Sequence, residues 1–83
     1  MTRPKYLRFK VEPFAVGVSF TADDLIVRLA DGRQVSVPLA WFPRLLKATS
    51  EQRGNWRLIG NGIGILWPLI DEDVSVATVL SAE

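Results

Sequence analysis

Few side chains in this sequence could do acid–base or nucleophilic chemistry, because its 83 residues include neither histidine nor cysteine. The commonest general base and the thiol nucleophile are therefore missing, and a zinc site with Cys or His ligands is excluded. The serine and threonine hydroxyls lie in no catalytic motif. We predict that the chain is not an enzyme and that it binds no cofactor.

The densest group of carboxylates is Asp71-Glu72-Asp73. Three adjacent acidic residues could hold Mg²⁺ or Ca²⁺, but this run lacks the spaced oxygen ligands and the glycine of an EF-hand. Carboxylates also stabilise the positive end of a helix, and Asp73 or Ser75 could cap one. We therefore interpret residues 71–75 as the start of a C-terminal helix, and we expect no metal site.

An aromatic pair lies beside an arginine at Trp41, Phe42 and Arg44. Tryptophan and arginine are enriched at binding hot spots, so these residues could anchor a partner protein. The alternative is that both aromatic rings fill the core while Pro43 begins a helix, and we favour it because a small domain has few large side chains to bury.

Arg53, together with Arg44 and Arg57, could receive a phosphate or a carboxylate group. The simpler interpretation is a charge at a helix end, or an ion pair with the acidic run at 71–73. Surface ion pairs contribute little to stability, so such a pair would not decide the question. Arg53 and the acidic run are kept as candidate interaction residues.

The first ten residues are basic and interleaved with aromatic side chains, namely Arg3, Lys5, Arg8 and Lys10 with Tyr6 and Phe9. Such a strand could follow a nucleic-acid backbone. The alternative is an edge strand that its charges protect from aggregation. The formal net charge of +1 is far from the basic balance of most nucleic-acid modules, so composition does not favour a nucleic-acid partner.

The elements that position these side chains begin with strands, which are predicted by the period-2 alternation of apolar residues in the first half of the chain. The first strand carries Leu7, Phe9 and Val11 and ends at Pro13. A turn at 21–24 is then expected to place Val16, Val18 and Phe20 opposite Leu29, Val27 and Leu25.

The next connection decides the register of the third strand. A two-residue turn at Asp31-Gly32 would mix the two faces, whereas a three-residue loop over 30–32 pairs Val27 with Val35. That loop places Gly32 where a left-handed backbone is needed. The sequence therefore predicts an antiparallel β-meander with one apolar face.

Two short helices and a second hairpin follow. Pro43 fits the first position of a helix that continues to Ala48, and Thr49 with Gln52 has the capping-box spacing for a second helix ending near Arg53-Gly54. The second hairpin turns at Asn61-Gly62, which is a strong two-residue turn signal. In this hairpin we expect Leu58 to pair with Ile65 and Trp56 to pair with Trp67.

The glycine-rich stretch 60–64 belongs to that hairpin rather than to a phosphate loop, because it lacks the Lys-Ser/Thr of a P-loop and joins two strands. The last helix is expected to bury Val76, Val79 and Leu80 on one face. The fold class is thus α+β: an antiparallel β-meander, a second β-hairpin, two short helices between them and a short C-terminal helix, all in a single domain over residues 1–83.

The apolar share of 48 % is high for so small a chain, which suggests that part of the apolar surface is buried against another chain. A small protein partner or a homo-oligomer would account for it. No run approaches the ~18 apolar residues of a membrane span, so no membrane association is expected. The chain is most simply cytoplasmic, which fits the absence of cysteine.

The segment from Pro38 to Val76 resembles the bacterial domain of unknown function 2442 family (DUF2442). The matching residues are Leu29–Arg33, Val37–Leu39, Trp41–Leu45, Glu51–Arg53, Asn55-Trp56, Leu58–Gly60, Gly64-Ile65, Trp67-Pro68 and Ile70–Asp73. The combination of these pieces is specific, although no single piece is.

The resemblance implies a small α+β domain without catalytic residues. Some members of the family carry a following helix-turn-helix domain, and members are often encoded beside another short protein, as in toxin–antitoxin pairs. This implies a protein-interaction or regulatory module, with an antitoxin-like role as its sharpest form. The alternative is a nucleic-acid-binding regulator, although the helix-turn-helix segment has no counterpart in this sequence.

Overall fold

The computed structural model describes residues 14–82, which form two antiparallel sheets. The first sheet is a meander. Its strands are β1 (Ala15–Phe20), β2 (Asp24–Leu29) and β3 (Gln34–Pro38), in the order β1-β2-β3. The second sheet is formed by β4 (Arg57–Ile59), β5 (Gly64–Trp67) and β6 (Glu72–Ser75), in the order β4-β5-β6.

Three short helices complete the described part of the chain: α1 (Pro43–Leu46), α2 (Ser50–Gly54) and α3 (Val76–Leu80). Short 3₁₀ turns at 39–41 and 68–70 lead into α1 and β6. The α+β class, the meander and the three helices are confirmed. The predicted first strand at Leu7, Phe9 and Val11, Pro13 and the basic start lie outside the described residues.

The three-residue loop between β2 and β3 is confirmed. Leu25 pairs with Val37 and Val27 with Val35, so all four side chains share the buried face. Gly32 has φ +95°, as this loop requires. The apolar alternation and the turn chemistry agree here, which is why the register could be predicted.

The start of β1 departs from the predicted register. We predict Val16 opposite Leu29, but Ala15 pairs with Leu29 and the ladder slips between Ala15 and Gly17. This β-bulge turns Val16 outward, 50 % exposed, and Ala15 inward, 1 % exposed. Gly17 also lies under Arg28, since a Cβ there would come within 2.3 Å of the guanidinium. The prediction that Val16 faces the core is therefore wrong.

Local side-chain signals fix both middle helices. Pro43 occupies the first turn of α1, which ends at Leu46 rather than at Ala48. The capping box of α2 is present: the Thr49 hydroxyl accepts a hydrogen bond from the Gln52 N–H (3.1 Å), and the Gln52 side chain accepts one from the Thr49 N–H (2.9 Å). Both helix starts are confirmed.

The second hairpin has the expected register, with Leu58 opposite Ile65. Asn61 and Gly62 both have positive φ, +60° and +106°, as a type I′ turn demands. The ladder begins at Arg57, one residue after Trp56, so the expected pairing of Trp56 with Trp67 is not part of it.

The acidic run does not begin a helix. Residues Glu72–Ser75 form β6, which pairs with β5, and only Ser75 caps α3, by accepting a hydrogen bond from the Thr78 N–H (3.1 Å). Asp71 adopts a left-handed conformation, φ +51°, and reverses the chain after the 3₁₀ turn. Val74 is then buried opposite Ile65. Burial of this β-branched residue explains why a strand forms where capping residues favoured a helix.

One cluster of buried apolar residues joins both sheets with α1 and α3. Its members are Ala15, Leu25, Val27, Leu29, Val35, Val37, Leu39, Phe42, Leu45, Ile65, Trp67, Val74, Val76 and Val79. Val76 and Val79 fill the buried face of α3 as predicted, with Leu80 packed beside them. No helix within residues 14–82 is long and apolar enough to span a membrane.

Candidate interaction surface

Arg53 is occupied by contacts inside the fold. Its Nε and Nη2 donate hydrogen bonds to the carbonyl oxygens of Leu45 and Leu46, both at 3.0 Å, and its guanidinium lies 5.3 Å from the centre of the Phe20 ring. These carbonyls end α1, where a cation is favoured. Arg53 therefore ties α2 to α1 and to the first sheet, and the helix-end interpretation of this residue fits its contacts.

Trp67 extends this tie to the second sheet. Its indole N–H donates to the Arg53 carbonyl (3.0 Å), and its ring meets the Phe20 ring edge to face at 6.2 Å between centroids. Trp67 itself is fully buried. The Phe20–Arg53–Trp67 cluster thus holds the two sheets and α2 in a fixed arrangement, which positions the surface described next.

The structure separates the two adjacent aromatic residues. Phe42 is in the core, only 9 % exposed, whereas Trp41 is 49 % exposed. Phe42 ends a 3₁₀ turn with a non-helical backbone (φ −130°, ψ 80°), and the two neighbouring side chains lie in different environments. The core interpretation is correct for Phe42 and wrong for Trp41.

Arg44 contacts the acidic run through a main-chain carbonyl oxygen rather than through a carboxylate. Its Nη1 donates a hydrogen bond to the carbonyl oxygen of Asp71, 27 residues away. This contact brings α1 to the turn that carries Leu69, which is 53 % exposed. Arg44 and Arg53 therefore bind different carbonyls, and the structure does not combine them into one phosphate-binding group.

The carboxylates of Asp71, Glu72 and Asp73 lie on and just before β6, which is at one edge of the second sheet as formed by residues 14–82. Asp71 and Asp73 are exposed, and Glu72 accepts a hydrogen bond from the Asp73 N–H (3.2 Å). None of the three forms an ion pair with another residue between 14 and 82. Within that range no cluster of acidic residues is suited to a metal ion. Asp71 and Asp73 therefore present exposed carboxylates at this end of the second sheet.

Several large apolar side chains of the described part remain in contact with solvent, and sequence reasoning did not identify them individually. They are Phe14, Val16, Trp41, Leu46, Leu58, Ile59, Ile63 and Leu69. The high apolar share of the sequence indicated such a surplus, but not its location. The bulge in β1 explains why Val16 is one of them.

Residues 14–82 form a small α+β fold of two three-stranded antiparallel sheets, with an exposed tryptophan and an acidic strand at one sheet edge. The sequence model of the family described as "Protein of unknown function (DUF2442)" matches residues 15–83. The chain therefore belongs to the DUF2442 family. No curated protein and no solved structure matches it.

Proposed function

We propose that this chain is a small, non-enzymatic protein-interaction module with a regulatory, antitoxin-like role in the cytoplasm. Its partner would be a small protein that covers Trp41. The observation that carries the proposal is the half-exposed Trp41 ring, three residues before Arg44 in the sequence, on a turn that the core holds in place. Tryptophan and arginine dominate the energetics of many interfaces.

The turn that carries Trp41 is fixed on both sides. Leu39 before it is fully buried, Phe42 after it is in the core, and the Phe42 N–H donates to the Leu39 carbonyl (2.9 Å). The Phe42 carbonyl then accepts from the Leu46 N–H (2.9 Å). A side chain held on a rigid segment loses less conformational entropy on binding, which favours affinity.

The alternative, a nucleic-acid-binding regulator, rests on the basic start at Arg3–Lys10, outside the described residues, and on the family members that carry a helix-turn-helix domain. Within residues 14–82, Arg53 and Arg44 donate to main-chain carbonyls, and the exposed carboxylates of Asp71 and Asp73 would repel phosphates. The described surface thus supports a protein partner rather than a nucleic acid.

Native mass spectrometry of the tagged chain, isolated from its own host at low salt, tests the proposal. We expect a second small protein at fixed stoichiometry. A bare monomer or homodimer would contradict an obligate partner. Salt-sensitive binding of DNA or RNA by the isolated chain would favour the alternative instead.

A further inference from the structure

The outer face of the second sheet, as residues 14–82 form it, carries opposite charges on its two outer strands. Leu66 of β5 pairs with Arg57 of β4 on one side and with Asp73 of β6 on the other. Ile65 and Trp67, the neighbours of Leu66 on β5, are fully buried, so this row lies on the opposite face of the sheet. The row therefore runs from a cation through an apolar side chain to a carboxylate.

The two charges of this row are unpaired within the described part of the chain. Arg57 and Asp73 are exposed, and neither side chain forms a hydrogen bond or an ion pair with another residue between 14 and 82. Adjacent strands lie about 4.8 Å apart, so the main chains of β4 and β6 are equally distant from Leu66 on β5. The cation and the carboxylate are thus placed symmetrically about the central strand.

Apolar side chains continue this face toward α3. Ile59, which pairs with Gly64, is 38 % exposed, and Ile63 in the turn before β5 is 55 % exposed. They line a depression of about 220 Å³ together with Gly64 and Asp73. A second depression shares Ile63 and extends to Leu80 of α3. Burying this apolar surface away from water favours association.

The order of the charges makes the face complementary to itself. In a two-fold dimer the same surface meets its own copy, so two residues that meet across the interface do so twice. With the axis parallel to β5, Arg57 of one copy faces Asp73 of the other, and Leu66 faces Leu66. With the axis across the strands, Arg57 would face Arg57 and like charges would repel. Charge complementarity therefore selects a second copy, with its axis along β5, as the occupant of this face.

We propose that two copies of this chain pack the outer faces of their second sheets together about a two-fold axis parallel to β5, with two Arg57–Asp73 ion pairs flanking an apolar centre. The inference goes beyond the proposed function and does not depend on it, because Trp41 follows β3 and lies outside the second sheet. The strands of this face have three or four residues each, which is little for an interface, since standard ones bury about 800 Å² per partner. We therefore expect a weak dimer that forms at high concentration and dissociates on dilution.

Charge reversal tests the inference by sedimentation equilibrium of the full chain at low salt. Arg57→Glu places a carboxylate opposite Asp73, and Asp73→Arg places a cation opposite Arg57. Each variant turns two attractions into two repulsions, so each should raise the Kd of the dimer about tenfold or more. An equimolar mixture of the two variants should restore the dimer, because both contacts then join opposite charges. High salt should weaken the unmodified dimer, since ions screen exposed pairs.

Lys47→Glu and Asp23→Arg are the matched controls, since both side chains are exposed and lie outside the second sheet. They change the net charge by the same amounts as the two test variants. Each control should self-associate with the Kd of the unmodified chain, alone or in the mixture. Circular dichroism should show an intact fold for all four variants, because none of the four side chains is buried.

Several results would overturn the inference. A monomer at every soluble concentration excludes the dimer, and a dimer whose Kd the charge reversals leave unchanged uses another surface. A mixture of Arg57→Glu and Asp73→Arg that stays monomeric excludes the two-fold arrangement.

Two further results would assign this face to another occupant and would also overturn the inference. One is a monomeric chain whose affinity for a copurifying partner falls in both Arg57→Glu and Asp73→Arg, since the partner would then cover the face. The other is self-association that appears only after Leu7, Phe9 and Val11 are replaced by serine, since the chain's own segment would then cover it.

Self-association and partner copurification are independent measurements, so the two proposals fail separately. If a partner copurifies but the chain alone stays monomeric, the inference fails while the proposed function stands. If the chain dimerises as expected but no partner copurifies, the proposed function fails while the inference stands.

Discussion

Among single residues, Arg53 makes the contacts that connect α2, α1 and the first sheet. Replacing Arg53 with alanine removes two charge-assisted hydrogen bonds and a cation–π contact, so the free energy of unfolding should fall by about 1.5–3 kcal/mol. Arg53→Lys should recover only part of this, because lysine lacks the planar fork that reaches both carbonyls. Urea denaturation measures the change.

Arg57→Ala is the matched control for Arg53, since Arg57 is exposed and its side chain makes no hydrogen bond, ion pair or ring contact with residues 14–82. Its unfolding free energy should stay within about 0.5 kcal/mol of the unmodified chain. Equal losses for the two arginines would contradict the structural role assigned to Arg53.

Trp41 and Phe42 are neighbours with opposite roles. Phe42→Ala leaves a cavity in the core and should lower the free energy of unfolding by about 3–5 kcal/mol. Trp41→Ala removes a half-exposed side chain and should cost far less, about 1 kcal/mol or below. Thermal unfolding of both variants checks the split. A larger loss for Trp41 than for Phe42 would show that Trp41 is a core residue.

At the scale of elements, the turns show how one residue fixes the relation between two sheets. Gly32 and Gly62 both have positive φ, but a Cβ at Gly32 meets nothing within 4 Å, whereas one at Gly62 collides with the main chain of Ala15. Gly32→Ala should therefore lower the free energy of unfolding by about 1–2 kcal/mol, which is the cost of a left-handed backbone at a non-glycine residue. Gly62→Ala should lower the free energy of unfolding by clearly more, because β1 and the turn must also move apart to make room for the Cβ.

Urea denaturation of the two glycine variants checks this prediction. The pair is matched in residue type and in the sign of φ, so the difference isolates the steric contact between the sheets. Equal losses would mean that the turn at 60–63 is not pressed against β1.

The cap of α2 is an independent element that can be tested alone. Thr49→Ala removes the hydroxyl that accepts from the Gln52 N–H and should cost about 0.5–2 kcal/mol. Ser50→Ala, one residue later and exposed, should be nearly neutral. Urea denaturation distinguishes the two, and similar effects would contradict the capping box.

Local signals made some of these elements predictable. Gly32, Asn61-Gly62 and Thr49 with Gln52 each require one backbone geometry, so the loop, the second turn and the helix start follow from a few residues. The bulge in β1 and the strand β6 have no such signal. Val16 alternates as well as any core residue, and the acidic run also satisfies the rules for a helix start; tertiary pairing overrides both.

The candidate surface was predictable in part for the same reason. The identity of Trp41 and Arg44 as candidates came from residue type, but the exposure of Trp41 depends on the 3₁₀ turn before Phe42. For Ile63, the sequence predicts only a position in the second hairpin turn. Its exposure follows from contacts of Gly62 with β1 and of the Ile63 carbonyl with α3. These contacts join residues far apart in the sequence, so the local sequence pattern does not predict them.

At the scale of the whole molecule, the described part buries one apolar cluster and still leaves a half-exposed tryptophan and several large aliphatic side chains outside. A domain of this size has little apolar surface to spare, because it buries only about 60 % of what its unfolded chain exposes. The proposed function would account for this surplus by binding of a partner, with Trp41 as the anchor.

The affinity of the Trp41→Ala variant for the copurifying partner tests this account most directly, measured by quantitative pull-down against Val16→Thr. The control is matched in exposure, since Val16 is 50 % and Trp41 49 % exposed. Replacing a hot-spot residue with alanine weakens the binding free energy by about 2 kcal/mol or more. Trp41→Ala should therefore raise the Kd of the complex at least about 30-fold, while Val16→Thr leaves the Kd unchanged. Equal affinities for the two variants would contradict the assignment of Trp41 as the anchor.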